Sequence, residues 1–246
     1  MQSASFESSL YSPESRHMSV SYSAPLMVRL ADVYGKHSFA NRLRAARFLR
    51  FEKLVSKLPK PVTILDVGGT TDFWEQRGWA GHPGFRITTV NLFPEEQKHE
   101  NVTSVVGDAT KLAFSEGSVD VVFSNSVIEH LRTFENQRLM AAEIKRVGKA
   151  FWVQTPNFWF PMEPHFLVPG WQWMPFDVRV AILRKHRCGW MGPSPDKEQA
   201  RELVSEVRLL RRKELATLFP SATLIPERFH GFVKSWTAIS GFPPDA

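Results

Sequence analysis

The sequence predicts an α/β fold: a mostly parallel sheet with helices on both faces and an antiparallel edge. Three observations predict it. From residue 62 onward, short apolar runs alternate with helical patterns, the rhythm of strands joined by crossover helices. The run holding Val119, Val121, Val122 and Phe123 is almost continuously apolar, as suits a strand covered on both faces. The two closing strand-like runs, at about 222–228 and 233–239, are separated only by Phe229-His230-Gly231, a turn short enough to pair them antiparallel.

Composition bounds the answer. The 246 residues suffice for one α/β domain with decoration. Hydrophobic residues at 43% and charged residues at 23% fit a soluble globular protein. No apolar stretch approaches the roughly 18–20 residues that a bilayer span requires. Residues 1–23 are serine-rich and lack an apolar centre, so they do not read as a secretory signal. The single cysteine, Cys188, excludes an internal disulfide and suits a reducing cytoplasm. The net charge of +6 suits an anionic substrate, a membrane surface or nucleic acid, or simply a basic solvated surface.

The elements follow in order. Residues 1–24 read as a flexible tail or a lid. Residues 25–246 read as a single domain, opening with N-terminal helices at 25–59 that form a helical cap. Leu26, Val28, Leu30, Val33 and Tyr34 mark a short helix; Phe39, Leu43, Ala46, Leu49, Leu54 and Val55 mark a longer one whose other face is basic. Lys60-Pro61 ends it. Strands are predicted at 62–67, 86–92, 103–106, 118–124 and 150–154, with helices at 70–78, 133–147 and 197–218. Residues 155–193 break the rhythm. They are rich in Pro, Trp and Phe with little periodicity, and read as an insertion on the substrate side.

The chemistry centres on Val62-Thr63-Ile64-Leu65-Asp66-Val67-Gly68-Gly69-Thr70-Thr71. A buried strand ends in an acid, two glycines turn the chain, and Thr70 or Thr71 can cap the next helix. This is a nucleotide-type site at the carboxyl end of a parallel sheet. No third glycine follows until Gly78, so the turn lacks the Gly-x-Gly-x-x-Gly pattern of a nicotinamide site.

Further elements sit at the right strand ends: Asn91-Leu92-Phe93-Pro94 after the second strand, Gly107-Asp108-Ala109 after the third, and Asn125-Ser126-Val127-Ile128-Glu129-His130-Leu131 after the fourth. Over about residues 60–240 the chain resembles the class I S-adenosylmethionine-dependent methyltransferases, and most of all the small-molecule group with a Val-Ile-Glu-His-Leu segment after the fourth strand. The resemblance implies a Rossmann-like seven-stranded sheet of order 3-2-1-4-5-7-6 and S-adenosyl-L-methionine as cofactor. It places Asp66, Gly68, Gly69 and Thr70 beside the methionine moiety, with Asp66 accepting from the ammonium group. Asn91 stands where the family has an acid for the ribose; its amide can accept from one hydroxyl and donate to another. Asp108 and Ala109 match the adenine contacts, Leu92 offers an apolar wall, and Asn125 and Ser126 lie near the sulfonium end. Asp108 is also placed to cap a short turn. Thr70 and Asp72 stand where relatives often carry glycines, which implies a differently shaped turn.

Methyl transfer is an in-line displacement that depends on positioning, and an oxygen or carbon nucleophile must also lose a proton. His130, with an ordinary imidazole pKa near ~6.5, is the first candidate base, with Glu129 to orient it; the alternative is a structural histidine at a helix start. Glu163 and His165 in the insertion form a second pair. Asn157, Phe158, Trp159, His165, Trp171 and Trp173 are the candidate substrate contacts, unless the aromatics form a mini-core under a lid. No spacing matches a metal motif, and no metal is expected; Glu163, His165, His186 and Cys188 are the conceivable ligands. The expected activity is methyl transfer to a small molecule, at an oxygen of a glycan, a lipid-linked intermediate or a secondary metabolite. Carbon or nitrogen acceptors and a non-catalytic scaffolding subunit are the alternatives. The Asn/Asp-Pro-Pro-aromatic element of base-amine methyltransferases is missing after the fourth strand, so nucleic acid is not the expected partner. A cytoplasmic location is expected. The basic helix and the Trp-rich segment leave peripheral membrane contact open.

Overall fold

The computed structural model describes residues 39–244. The expected tail at 1–24 and the expected helix at 26–34 lie outside the described residues. The chain divides into two compact units, Met1–Arg50 and Phe51–Ala246. The described part of the first is the start of helix α1 (Phe39–Val55), which runs on into the second.

Seven strands form one sheet: β1 (Val62–Val67), β2 (Phe85–Asn91), β3 (Val102–Val106), β4 (Val119–Asn125), β5 (Gly148–Pro156), β6 (Thr223–Phe229) and β7 (Phe232–Ser240). Their order is β3-β2-β1-β4-β5-β7-β6, as expected. Neighbours among β1 to β5 are parallel, and β7 runs antiparallel to both β5 and β6. The order reverses between β1 and β4, so the chain leaving these two strands diverges and opens a crevice at their carboxyl ends. Helices α2 (Thr71–Gln76) and α3 (Phe134–Val147) follow β1 and β4.

Successive side chains of a strand face opposite sides, and both sides are apolar here. Leu65, Val67, Val122 and Val153 join Met140 and Ile144 of α3 in one core. Their strand neighbours Phe123 and Trp152 face the other layer. There Phe51 of α1 lies with its ring centre 4.7 Å from Phe123, 5.6 Å from Trp152, 5.8 Å from Trp79 and 6.4 Å from Trp74. Phe51 is fully buried, so truncation leaves a cavity with rigid aromatic walls that cannot collapse. Phe51→Ala should cost about 3–5 kcal/mol, read as a lower midpoint in chemical denaturation.

Two stretches differ from expectation. The predicted helix at 197–218 is two helices, α5 (Lys197–Ser205) and α6 (Arg212–Leu218). The backbone between them has partners elsewhere: Arg208 N donates to Glu129 O at 2.7 Å, Gln137 Nε2 donates to Arg208 O at 2.9 Å, and Phe158 N donates to Leu210 O at 3.1 Å. These tertiary bonds replace the i to i−4 ladder, and the apolar Leu209 and Leu210 that continued the pattern are buried outside any helix. The insertion, in turn, contains a helix, α4 (Phe176–Lys185), started after Pro175. Val180 and Leu183 of α4, with Phe166, Trp171 and Cys188, pack against Ala200, Leu203 and Val204 of α5 in a separate small core.

Candidate active site

The turn after β1 is closed over Asp66. Gly68 has φ of +79°, and a Cβ there would meet both methyls of Val127 at 2.6 Å. A Cβ on Gly69 would stand 1.6 Å from Asp66 Oδ2. Both positions therefore exclude a side chain, the first also by conformation. The buried Asp66 accepts from Trp74 Nε1 at 2.8 Å. Burial, with Glu95 adding to it against the Trp74 hydrogen bond, pushes the Asp66 carboxyl up to about 8. Thr70 occupies the N-cap position of α2 but makes no capping bond. The cap comes from Glu95 instead, whose Oε2 accepts from Thr71 N at 3.1 Å.

The other strand ends line the same crevice. Asn91 donates through Nδ2 to Gly69 O at 2.5 Å, tying β2 to the turn and leaving Oδ1 as its acceptor. Leu92 beside it is 59% exposed, a large apolar side chain not covered by the fold. Asp108 Oδ1 accepts from Thr110 N at 2.7 Å and from Thr110 Oγ1 at 2.8 Å, so it does cap the turn through Ala109. Ser126 sits at φ +59°, held by its backbone N donating to Gln154 O and its hydroxyl to Gln154 Oε1, both at 2.9 Å. Asn125 pairs with Gln154 in the β4–β5 register.

Glu129, His130, Glu163 and His165 come together, although the two pairs are more than thirty residues apart in the chain. Glu129 and His130 lie in a short 3-10 turn (Ile128–His130) after β4. Glu129 is fully buried, and its Oε2 accepts from Thr155 Oγ1 at 3.0 Å. Burial, only partly offset by His165 and Thr155, holds its pKa above the carboxylate range. The His130 and His165 rings meet edge to face with centres 4.7 Å apart. Burial, with His165 beside it, pushes His130 down to about 3, so its ring is neutral. His165 Nδ1 lies 2.6 Å from Glu163 Oε1. Burial opposes charge on His165, but Glu163 and Glu129 together hold its pKa above the ordinary imidazole value. Glu163 is itself fixed, since Oε2 accepts from His165 N at 2.7 Å and from Phe166 N at 2.6 Å. One ligand-type atom from each of Glu129, His130 and His165 lies within 4.8 Å of the others. The set Glu163, His165, His186 and Cys188 does not form such a group among the described residues; the Cys188 thiol donates to His186 O.

The insertion sorts its aromatics. Trp171 is buried and stacks on Phe166 at 4.4 Å, whereas Trp159 and Trp173 are 57% and 48% exposed. Asn157 is buried with its amide committed to Val233 O and Trp159 N, which anchors the insertion to β7. A cavity of about 230 Å³ is lined by Phe158, Glu163, Trp171, Gln172, Arg179 and Arg208 among others.

Residues 65–150, from β1 to the start of β5, match a family model described as a methyltransferase domain. Residues 65–150 are thus similar to a methyltransferase domain, and they lie in a sheet of the strand order expected for the class I fold. The cofactor of such a domain is S-adenosylmethionine. The chain is 25% identical over 205 residues to the uncharacterized protein Rv1509 of Mycobacterium tuberculosis strain H37Rv, across 78% of this chain and 67% of that protein; the counterpart in strain CDC 1551 matches equally. Among solved structures it is similar to a possible exported protein from Bordetella parapertussis, with TM-score 0.51, 14% identity and coverage of 83% and 68%. A SAM-dependent methyltransferase from Methanosarcina mazei gives TM-score 0.47 at 13% identity, covering 76% and 94%. At 14% identity the likeness to the Bordetella structure is one of fold.

Several residues of this crevice carry no motif. Trp74, Glu95, Gln154 and Thr155 hold Asp66, α2, Ser126 and Glu129 respectively. Gln154 and Thr155 had one local signal, their place at the carboxyl end of an apolar strand. Trp74 and Glu95 had none. No helix among the described residues is long and apolar enough to cross a membrane.

Proposed function

We propose that the protein methylates an oxygen of a small-molecule acceptor held between the cofactor turn and the aromatic insertion. The observation that carries this reading is the Glu129–His130–Glu163–His165 cluster, which follows β4 and β5 at the same sheet edge as the glycine turn. The turn fits the donor: Gly68 and Gly69 let the backbone close tightly on Val127 and Asp66, where a Cβ would clash, and Asp66 offers a carboxylate to an ammonium group. Asn91 Oδ1 is placed to accept from a ribose hydroxyl, Leu92 to cover an adenine face, and Asp108 and Ala109 to meet its edge. Asn125 and Ser126 complete the sulfonium side.

When bound, S-adenosylmethionine supplies a methyl group made electrophilic by its sulfonium. The chain's residues supply position and a proton acceptor. His165, with Nδ1 turned to Glu163, presents Nε2 to the hydroxyl proton. With the cofactor bound, that nitrogen would take up the proton that the acceptor's hydroxyl gives up on methylation. His130, held neutral, and Glu129 line the path. Phe158, Trp171 and Gln172 around the small cavity suit a ring with a few polar groups, and the exposed Trp159 and Trp173 suit stacking on a sugar or contact with a lipid anchor.

Release of S-adenosylhomocysteine should be measured against a simple phenol, a reducing sugar and a lipid-linked sugar. With the acceptor so found, His165→Gln and Glu163→Gln should each lower kcat about 10²-fold while leaving S-adenosylmethionine affinity unchanged. Unchanged turnover in both variants would remove the base from this cluster. A chain that binds no S-adenosylmethionine would instead support the scaffolding reading.

A further inference from the structure

We propose that Glu129, His130 and His165 bind one divalent transition-metal ion of the zinc class on the acceptor side of the cleft. Two imidazoles and one carboxylate are a three-residue set that leaves coordination positions open for an outside ligand. Hard ions such as magnesium and calcium call for oxygen ligands throughout, so the nitrogen content selects against them.

Three observations converge on this site. The first is proximity: an atom from each residue lies within 4.8 Å of the other two. An ion with bonds of ~2.0–2.1 Å needs them closer, which small side-chain rotations supply. The second is an incomplete acid. Glu129 is fully buried; Oε2 accepts from Thr155, but Oε1 has no hydrogen-bond partner, and no lysine or arginine pairs with it among the described residues. A buried carboxylate oxygen left this way is strongly disfavoured unless the group holds a proton or a cation completes it. The third is a supporting layer. His165 Nδ1 is engaged by Glu163 Oε1 at 2.6 Å, and Glu163 is locked by two backbone N–H groups. A carboxylate behind a histidine fixes the tautomer that turns Nε2 outward as the ligand atom, the arrangement typical behind metal-binding histidines.

The ion's open position would take the acceptor's oxygen; with the ion bound, His165 Nε2 is a ligand, and the ion would take over from that nitrogen the task of activating the hydroxyl. That role rests on the methyl-transfer reading; the binding does not. The full chain, stripped with a chelator, should be titrated with Zn²⁺ by calorimetry and with Co²⁺ by visible absorption. The expected result is about one ion per chain, with a Co²⁺ spectrum of a nitrogen–oxygen site. His165→Ala and Glu129→Gln should weaken Zn²⁺ binding at least ~100-fold, and Glu163→Gln, acting through His165, about 10–100-fold. His186→Ala, an exposed histidine outside the cluster, should leave it unchanged. S-adenosylmethionine affinity, measured on the same samples, separates the two readings, since either can fail alone. Should Glu129→Gln not fold, the wild-type Co²⁺ spectrum and the half-buried His165 still decide. Absence of stoichiometric binding, or binding that survives His165→Ala unchanged, would overturn the proposal.

Discussion

Replacing Gly69 with alanine should abolish S-adenosylmethionine binding, with a loss of at least ~100-fold in affinity by calorimetry. The new Cβ would fall 1.6 Å from Asp66 Oδ2 and 2.0 Å from Asp66 Cγ. The carboxyl cannot simply swing aside. It is buried and bound to Trp74 Nε1, and Trp74 is fully enclosed. Either the carboxyl leaves the indole N–H unpaired, or the turn moves off its bond from Gly68 N to Val90 O. Leaving a buried donor unpaired costs about 1–3 kcal/mol. Stability should therefore fall as well as affinity. The double variant Gly69→Ala with Asp66→Ala separates the two effects: removing the carboxyl makes room, so the melting temperature should partly recover while affinity does not. Additive losses in stability would argue that the clash is relieved some other way.

Raising the pH from about 6 to about 8 should tighten cofactor binding, by up to about tenfold per unit, with release of close to one proton. The Asp66 carboxyl sits at about 8 without ligand because it is buried, so at neutral pH it is mostly protonated. An ammonium group beside it favours the carboxylate, and binding expels the proton. Calorimetry in two buffers of different ionisation enthalpy reads that proton directly. Asp66→Asn should flatten the profile. A pH-independent affinity in the wild type would show that the carboxylate does not meet the ammonium group. The same shift has a consequence for the protein alone. Asp66 is raised from 3.8 to about 8 on folding, so between these values the folded chain holds a proton that the unfolded chain does not. Its contribution to stability is full below about pH 4 and is lost as pH rises toward 8.

The two predictions meet at one point in the chain, and they show how far local sequence reaches. The strand, its acid and the two glycines are consecutive, so Val62 to Thr71 can be read directly. Strand identity follows from apolar runs of five to seven residues, and β1 matches the reading to the residue. What cannot be read is that Trp74 turns back to Asp66, or that Glu95 rather than a threonine caps α2. Both contacts depend on how β1 and β2 pair, not on any pattern near either residue.

The same division holds across the molecule. The sequence by itself determined the order of the strands, the antiparallel edge, the glycine turn and the place of the insertion, because periodicity and turn chemistry are local. The tertiary structure decided which aromatics of the insertion are buried, why the helix after residue 197 breaks, and that Glu129, His130, Glu163 and His165 share one site. The physical reason is the crossover. β4 and β5 lie side by side only after α3 has carried the chain back, and only then do the segments leaving their carboxyl ends meet.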